Sequence, residues 1–388
     1  MAEEKKGNNV LKLPVVKEQQ DNFGIYEFNI SNCNVSIVNS LRRTLITDIP
    51  IVCFNVEEYN ELNTDLKTIQ IFNNTTSFNN EILKQRLSCI PVHIKLNEID
   101  EESLNNLVIE VNKTNNGDNI EFITTEDFKI FDTTTNKELS KSKRDAIFPK
   151  SALTNDYILF ARLKPSISKT TPGQNLHFRA KLFISNAKHN GQFNSCSIAA
   201  YSYAEDIKSQ QKIWLSKESE LNSLNFTEEE IEEKKQDWYL HDAKRIFLKD
   251  TFNFKLESIG VYTNEELLKK SCEILQIRLG HFKSDIEDTF EYIADTTNVE
   301  NSFDIKMENY DYTIGKVIEY LLNELYFKNE KILSYVGFIK KHPHDSFSIV
   351  RIIFKDSDNS NIENIKILLS SCADKAIEIY DNLNNNFI

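Results

Sequence analysis

His342 and His344 flank Pro343 and are the nearest approach to a metal-ligand pair in this 388-residue chain, but no third ligand stands close to them in sequence. The six cysteines, Cys33, Cys53, Cys89, Cys196, Cys272 and Cys372, are scattered singly with no Cys-x-x-Cys pair. Neither a zinc ribbon nor a disulfide framework is expected from that spacing. Carboxylates are abundant, yet runs such as Glu228–Glu233 read as solvated helix faces. No Gly-x-Gly-x-x-Gly, P-loop, Gly-x-Ser-x-Gly or His-Glu-x-x-His occurs, and no Ser-His or Cys-His pairing stands out. The chain is therefore expected to carry no catalytic residue, no metal and no cofactor. What remains is cationic. Arg42 and Arg43 end an amphipathic stretch, where they either match a helix dipole or act as fork donors at an interface. Arg86, one turn before Pro91, poses the same choice, and Arg179, Lys181 and Lys188 form a basic edge that is either solvated or faces an acidic partner.

Those residues sit in an acidic chain: 46 Lys and Arg against 59 Asp and Glu give a formal charge of −13. A protein that grips nucleic acid by neutralising phosphates needs a basic surface, so DNA or RNA is expected only indirectly, through partners. At roughly 150 residues per domain the length predicts two to three domains. No run approaches the ~18 apolar residues of a membrane span, and the opening Met1–Lys6 lacks the apolar core of a signal peptide. An intracellular, reducing location without membrane contact is expected, which leaves the Asn-x-Ser/Thr triplets at Asn34, Asn112 and Asn225 without meaning.

Hydrophobic period gives the helices and strands on which these arginines sit. Residues 1–21 read as a loose leader, and 24–30 as a strand with one wet face. A helix over 34–48 carries Ile37, Leu41 and Leu45 at spacing four, widened by Val38 and stopped by Pro50. A buried strand over 51–56 follows, then a short helix over 80–88. From 95 to about 203 the pattern is β-like, clearest at 157–163 and 176–184. Residues 205–245 are charged and helix-prone, with a capping box at Thr227 and Glu230, and read as a surface insertion. A strand at 252–259 leads into a long helix near 263–293 carrying Leu268, Cys272, Leu275 and Leu279. The best linker is 295–302.

After that linker the opening pattern returns: strand 303–307, helix 313–325 with Ile314, Val317, Leu321 and Leu325, strands at 334–339 and 346–354, and a closing helix over 362–383. Ser36–Leu41 and Thr313–Ile318 occupy the same place in a strand–helix unit, and each unit closes with a long helix. Two such units can bury their spare helix faces against each other, at an effective concentration on the order of millimolar because they share a chain. Alternatively each face is the core of an independent domain.

Ser36-Ile37-Val38-Asn39-Ser40-Leu41-Arg42-Arg43, followed by Asp48-Ile49-Pro50, resembles the signature helix of the α subunit of bacterial RNA polymerase and of the third subunit of eukaryotic RNA polymerase II. Asn80–Pro91 resembles that family's second motif, ending in Arg-x-x-x-Ile-Pro, and Leu163–Ser197 is similar to the end of its inserted β domain. Asp311–Gly315, Tyr335–Phe338 and His342–His344 look like the eleventh subunit, the third subunit's partner. A fusion of subunits 3 and 11 is similar to what large DNA viruses of eukaryotes carry, and the Asn/Ile/Lys-rich composition suits an AT-rich genome. Val38 and Ser88 stand where the family usually has glycine, and its signature histidine is Val35 in the first copy and Tyr312 in the second.

The resemblance implies an α+β fold with two sheet-plus-two-helix dimerisation modules. The subunit-3-like module would comprise 22–51 plus 251–294, interrupted by a β-rich insert domain over 52–250, and the subunit-11-like module 303–388. It implies a non-catalytic assembly subunit of a DNA-directed RNA polymerase. Arg42, Arg43 and Arg86 would face the two largest polymerase subunits, alongside other small subunits. Ile37, Leu41, Leu45, Ile314, Val317, Leu321 and Leu325 would join the modules as an intramolecular pseudo-dimer. The zinc-binding cysteines that some relatives carry in the insert domain are absent. If viral, the protein would work in the host cytoplasm and be packaged in the virion. A self-contained enzyme and a free-standing acidic adaptor built on 205–245 are the competing readings.

Overall fold

A computed structural model describes residues 11–54, 69–168, 171–294 and 299–387. The chain opens with β1 (Val15–Asn22), β2 (Ile25–Ser31), α1 (Val35–Thr47) and β3 (Ile51–Phe54). Its middle holds β4 (Ile69–Asn74), α2 (Asn80–Ser88), α3 (Glu101–Asn105), β5 (Leu107–Thr114), β6 (Glu121–Thr124), β7 (Lys129–Asp132), β8 (Lys137–Glu138), α4 (Lys141–Ile147), β9 (Leu159–Leu163) and β10 (Asn175–Ser185). Then come β11 (Cys196–Glu205), α5 (Ile207–Ser223), α6 (Glu228–Leu240), β12 (Phe247–Ser258), α7 (Asn264–Asp288) and β13 (Glu291–Ala294). The chain closes with β14 (Ser302–Glu308), α8 (Tyr312–Leu322), β15 (Leu333–Ile339), β16 (Phe347–Phe354) and α9 (Ile362–Asn386). It is an α+β protein, as its alternating period-2 and period-3.6 segments require.

Two compact units divide these elements, one made of residues 1–45, 198–257 and 264–388, the other of 46–197 with 258–263. The first holds two four-stranded sheets of the same plan. In one the order is β1-β2-β12-β11, in the other β13-β14-β16-β15. Each runs edge strand, strand before a short helix, strand before a long helix, then that strand's sequence predecessor. β2 leads to α1 and β14 to α8; β12 leads to α7 and β16 to α9. The central strand pairs are antiparallel in both, with Phe28 opposite Phe254 and Ile305 opposite Val350.

α7 and α9 carry a seven-residue apolar period. Leu268, Cys272, Leu275, Leu279, Phe282 and Ile286 are buried at alternating spacings of four and three, and so are Ile365, Leu369, Cys372, Ala376, Ile379 and Leu383. That spacing keeps one seam on a helix facing a partner helix, and the two helices pack on each other. Each fully buried Leu, Ile or Phe contributes about 1.5–3 kcal/mol, so this seam is a large share of the unit's core.

The second unit is built on β10, which pairs with β3, β4 and β5, while β7 and β8 extend the sheet beyond β5. α2 and the strands enclose a phenylalanine cluster in which Phe128 meets Phe54, Phe148, Phe160 and Phe178, with centroids 5.4–6.3 Å apart.

Four expectations change. Residues 15–22 are an edge strand rather than leader; only Val16 is buried, so the segment reads as polar although its backbone is paired. The helix expected through Leu325 ends at Leu322 and widens into a π-helical turn over Asn323–Asn329, which leaves Leu325 half-buried. The helical stretch within 205–245 is α5 and α6, and it belongs to the first unit rather than to a β-rich insert, because β11 and β12 on either side pair in the first sheet. The compact units accordingly divide at 45/46 and 197/198, not at 51/52 and 250/251. Residues 55–56 of the expected third strand and 295–298 of the expected linker lie outside the described residues.

A candidate assembly interface

α1 begins where the Asn34 carboxamide accepts the Ser36 N–H at 2.9 Å, and α8 begins where the Asp311 carboxylate accepts the Thr313 N–H at 3.0 Å. These caps occupy equivalent places in the repeat and satisfy backbone donors that a helix start leaves open. Ile37, Leu41, Leu45, Ile314, Val317 and Leu321 are all buried, at 2 % exposure or less.

The repeats meet through side chains as well as through α7 and α9. Arg43 on α1 donates from Nε to Thr313 Oγ1 and from Nη2 to Asp311 Oδ2, both at 2.9 Å. Arg278 on α7 lies 3.5 Å from the other Asp311 oxygen. Burial pushes the Asp311 carboxyl up, but the Thr313 hydrogen bonds and the two guanidinium groups outweigh it and hold the group below the usual carboxylate range. Ser40 Oγ and Tyr380 OH meet at 2.5 Å, both buried. Ser40 also donates to the Ile37 carbonyl at 2.7 Å, which leaves its lone pairs to accept from Tyr380. Burial, the largest influence, drives the Tyr380 phenol far above the ordinary tyrosine range.

The long helices end reciprocally. Phe282 on α7 packs edge-on against Tyr310, just before α8, and Tyr310 donates to Asp285 at 2.6 Å. Phe387, just after α9, packs edge-on against Phe28 of β2, and Gln19 of β1 donates to the Asn386 carbonyl at 3.2 Å. Each long helix thus ends against the other repeat, α9 on its sheet and α7 on the loop that leads into α8. Lys283–Asp374 and Lys366–Glu287, each at 2.6 Å, flank the seam.

The three singled-out arginines have different surroundings. Arg43 is committed to Asp311 and Thr313. Arg86, in the second unit, donates to the Phe160 and Leu159 carbonyls at 2.8 Å and lies over the Phe78 ring. It borders a cavity of about 490 Å³ shared with Phe78, Ile120, Phe160, Arg162 and Lys164. Arg42 is half-buried, with Nε and Nη2 held by Asn39 Oδ1 on its own helix at 3.0 Å. In the repeat register Arg42 stands where α8 has Glu319, and Asn39 where it has Lys316, which are paired at 2.5 Å. The equivalent helix faces therefore differ by one net positive charge.

Sequence reasoning named part of the α7 stripe but not the α9 stripe or Tyr380, and it placed Ser40 and Asp311 within motifs without giving either a contact. The α9 heptad was readable in the residue spacing; the three polar groups had no signal, because their partners lie hundreds of residues away. Among the described residues no cluster of three or more His, Cys, Asp or Glu is placed to hold a metal ion. His344 donates its backbone N–H to His342 Nδ1 at 3.1 Å, which occupies that nitrogen. Among the same residues no helix is long and apolar enough to cross a membrane.

A family model described as the RNA polymerase Rpb3/Rpb11 dimerisation domain matches residues 27–279, more than half of the chain. The chain is also similar to a protein of Tetrahymena thermophila named as a conjugation stage-specific protein, at 22% identity over 308 residues, spanning 69% of this chain and 94% of that one.

Proposed function

The chain belongs to the RNA polymerase Rpb3/Rpb11 dimerisation family, whose members are non-catalytic polymerase assembly subunits, and from that premise we propose that it is a fused subunit serving as both partners of the assembly pair. On this reading 303–388 is a subunit-11-like module and the first sheet with α1 and α7 its subunit-3-like counterpart. Together they form an intramolecular pseudo-dimer that binds the two largest polymerase subunits, where catalysis resides. DNA and RNA reach it only through the complex. A viral polymerase, active in the host cytoplasm and packaged in the virion, is the setting that the resemblance favours.

The observation that carries this reading is the repeat within one compact unit. The strand order recurs, the helix caps recur, and each closing helix ends against the other repeat. The family match reaches only to residue 279, so the second copy rests on topology and on its subunit-11-like residues.

The test is affinity purification of the tagged full chain from its native cells, with the bound proteins quantified by mass spectrometry. Two very large polymerase subunits in near-equal amounts are expected. Recovery of the chain alone, or with unrelated proteins, would remove the function and leave the fold. Arg42→Glu should weaken that capture while leaving the fold intact, since its side-chain hydrogen bonds go only to Asn39, one turn back on α1. Unfolding of this variant would instead make Arg42 structural.

A further inference from the structure

The hairpin between β1 and β2 turns in two residues, Phe23 and Gly24, enclosed by the paired Asn22 and Ile25. Both have positive φ, 55° and 89°. That is the sign pattern of a type I′ turn, which favours Asn-Gly, Asp-Gly or Gly-Gly. Gly24 suits it. Phe23 does not, because the left-handed region crowds its Cβ against the following carbonyl.

Its ring recovers nothing from the fold, being 106 % exposed relative to a reference phenylalanine. The next most exposed phenylalanines among the described residues, Phe72 and Phe122, each carry an arginine over the ring. Phe23 is thus unfavourable to this chain twice, in backbone and in solvation.

The turn that presents it is firmly built. The Asp21 carboxylate accepts the Gly24 N–H at 2.9 Å, and the Gly24 carbonyl accepts from the Asn264 side chain at 3.1 Å, which fixes the tip to the start of α7. An aromatic ring on a pre-ordered turn loses little entropy on binding, and such rings dominate the affinity of protein interfaces. The surroundings are acidic: Asp21 just before the turn, Glu257 opposite Ile25, and Glu265 in the first turn of α7, beside the Asn264 that holds the tip. A matching pocket is apolar with a Lys/Arg rim. A second copy of this chain is a poor match, since it brings the same acidic turn and a charge of −13.

We propose that Phe23 is an aromatic anchor that seats in an apolar, basic-rimmed pocket on one of the two large polymerase subunits, an inference that rests on the function proposed above. The test compares full-length tagged wild type, Phe23→Asn and Phe23→Tyr. Each is purified from native cells to quantify the two large subunits, and melted alone in purified form.

Phe23→Asn installs the favoured turn residue, so its melting temperature should rise by about 1–2 °C. Its recovery of a large subunit should fall on the order of ten-fold. Phe23→Tyr keeps the ring and should recover as wild type does. Unchanged recovery with Phe23→Asn overturns the anchor and leaves the polymerase assignment standing. A lower melting temperature for Phe23→Asn overturns it by making the ring structural. A wild type that is dimeric in solution and made monomeric by Phe23→Asn overturns it in favour of a second copy. If wild type recovers no large subunit, anchor and assignment fall together.

Discussion

Asp311 meets groups on three helices at once: it accepts from the start of α8 and from Arg43 on α1, and Arg278 on α7 lies 3.5 Å away as a second cation. Asp311→Asn keeps the cap geometry and removes the charge, and should cost about 1 kcal/mol in urea unfolding at neutral pH, since the pair is partly solvent-exposed. The carboxyl is held below its ordinary 3.8 in the folded chain. Its contribution is therefore complete above 3.8 and is lost as pH falls through the lower folded value. Wild type should approach the variant's stability in acid, and equal gaps at pH 7 and pH 2.5 would refute the role. His93 has the opposite chemistry. Burial, the larger influence, lowers its pKa against a raising backbone hydrogen bond, and its Nδ1 has no partner. The unfolded chain takes up a proton near 6.5, the folded chain only at lower pH, so stability should begin to fall below about 6.5. His93→Gln should flatten that limb in denaturant titrations between pH 7.5 and 5.

At the scale of elements, α1 and α8 fill the same place in the repeat with different neighbours. Gly315 on α8 stands where α1 has Val38. A Cβ at Gly315 would fall 2.0 Å from the Phe338 ring, so Gly315→Val should destabilise by about 1–3 kcal/mol despite improving helix propensity. Val38 is fully buried on α1, and Val38→Gly should destabilise as well, losing packing and gaining backbone freedom. Equal tolerance of both swaps in a urea series would mean that the two helix faces do not see different sheets. Ser40 and Tyr380 join α1 to α9. A double-mutant cycle with Ser40→Ala and Tyr380→Phe should return a coupling of about 1 kcal/mol, and additive single effects would deny the bond.

At the scale of the molecule, the α7–α9 seam and the reciprocal contacts of Phe28 with Phe387 and Phe282 with Tyr310 do not depend on chain continuity near 295–298. Residues 1–298 and 299–388, produced as separate chains in one cell, should co-elute on size exclusion. Failure to associate would show that the linker, not the buried stripe, holds the repeats together. Deleting α5 and α6 should spare recovery of the large polymerase subunits on the scaffold reading, whereas an acidic adaptor would lose its partner.

The local elements and their repetition are written in the order of the residues alone. Hydrophobic period, Pro50 and Pro91 as stops, and the capping box at Thr227 and Glu230 all act over a few residues, so α1, α2, α6 and α7 were legible to within a few positions. The motif around Arg42 and Arg43 carried the family. Which strands share a sheet, and where each arginine spends its hydrogen bonds, is set by the folded chain as a whole. β1 was missed because an edge strand buries only one of its side chains, and β11 was assigned to the wrong unit because its partner in the first sheet lies beyond two helices. Arg43 and Arg86 read alike in sequence, yet one meets Asp311 and the other two carbonyls of β9. Pairing across hundreds of residues depends on how closed surfaces fit, and no local pattern encodes that.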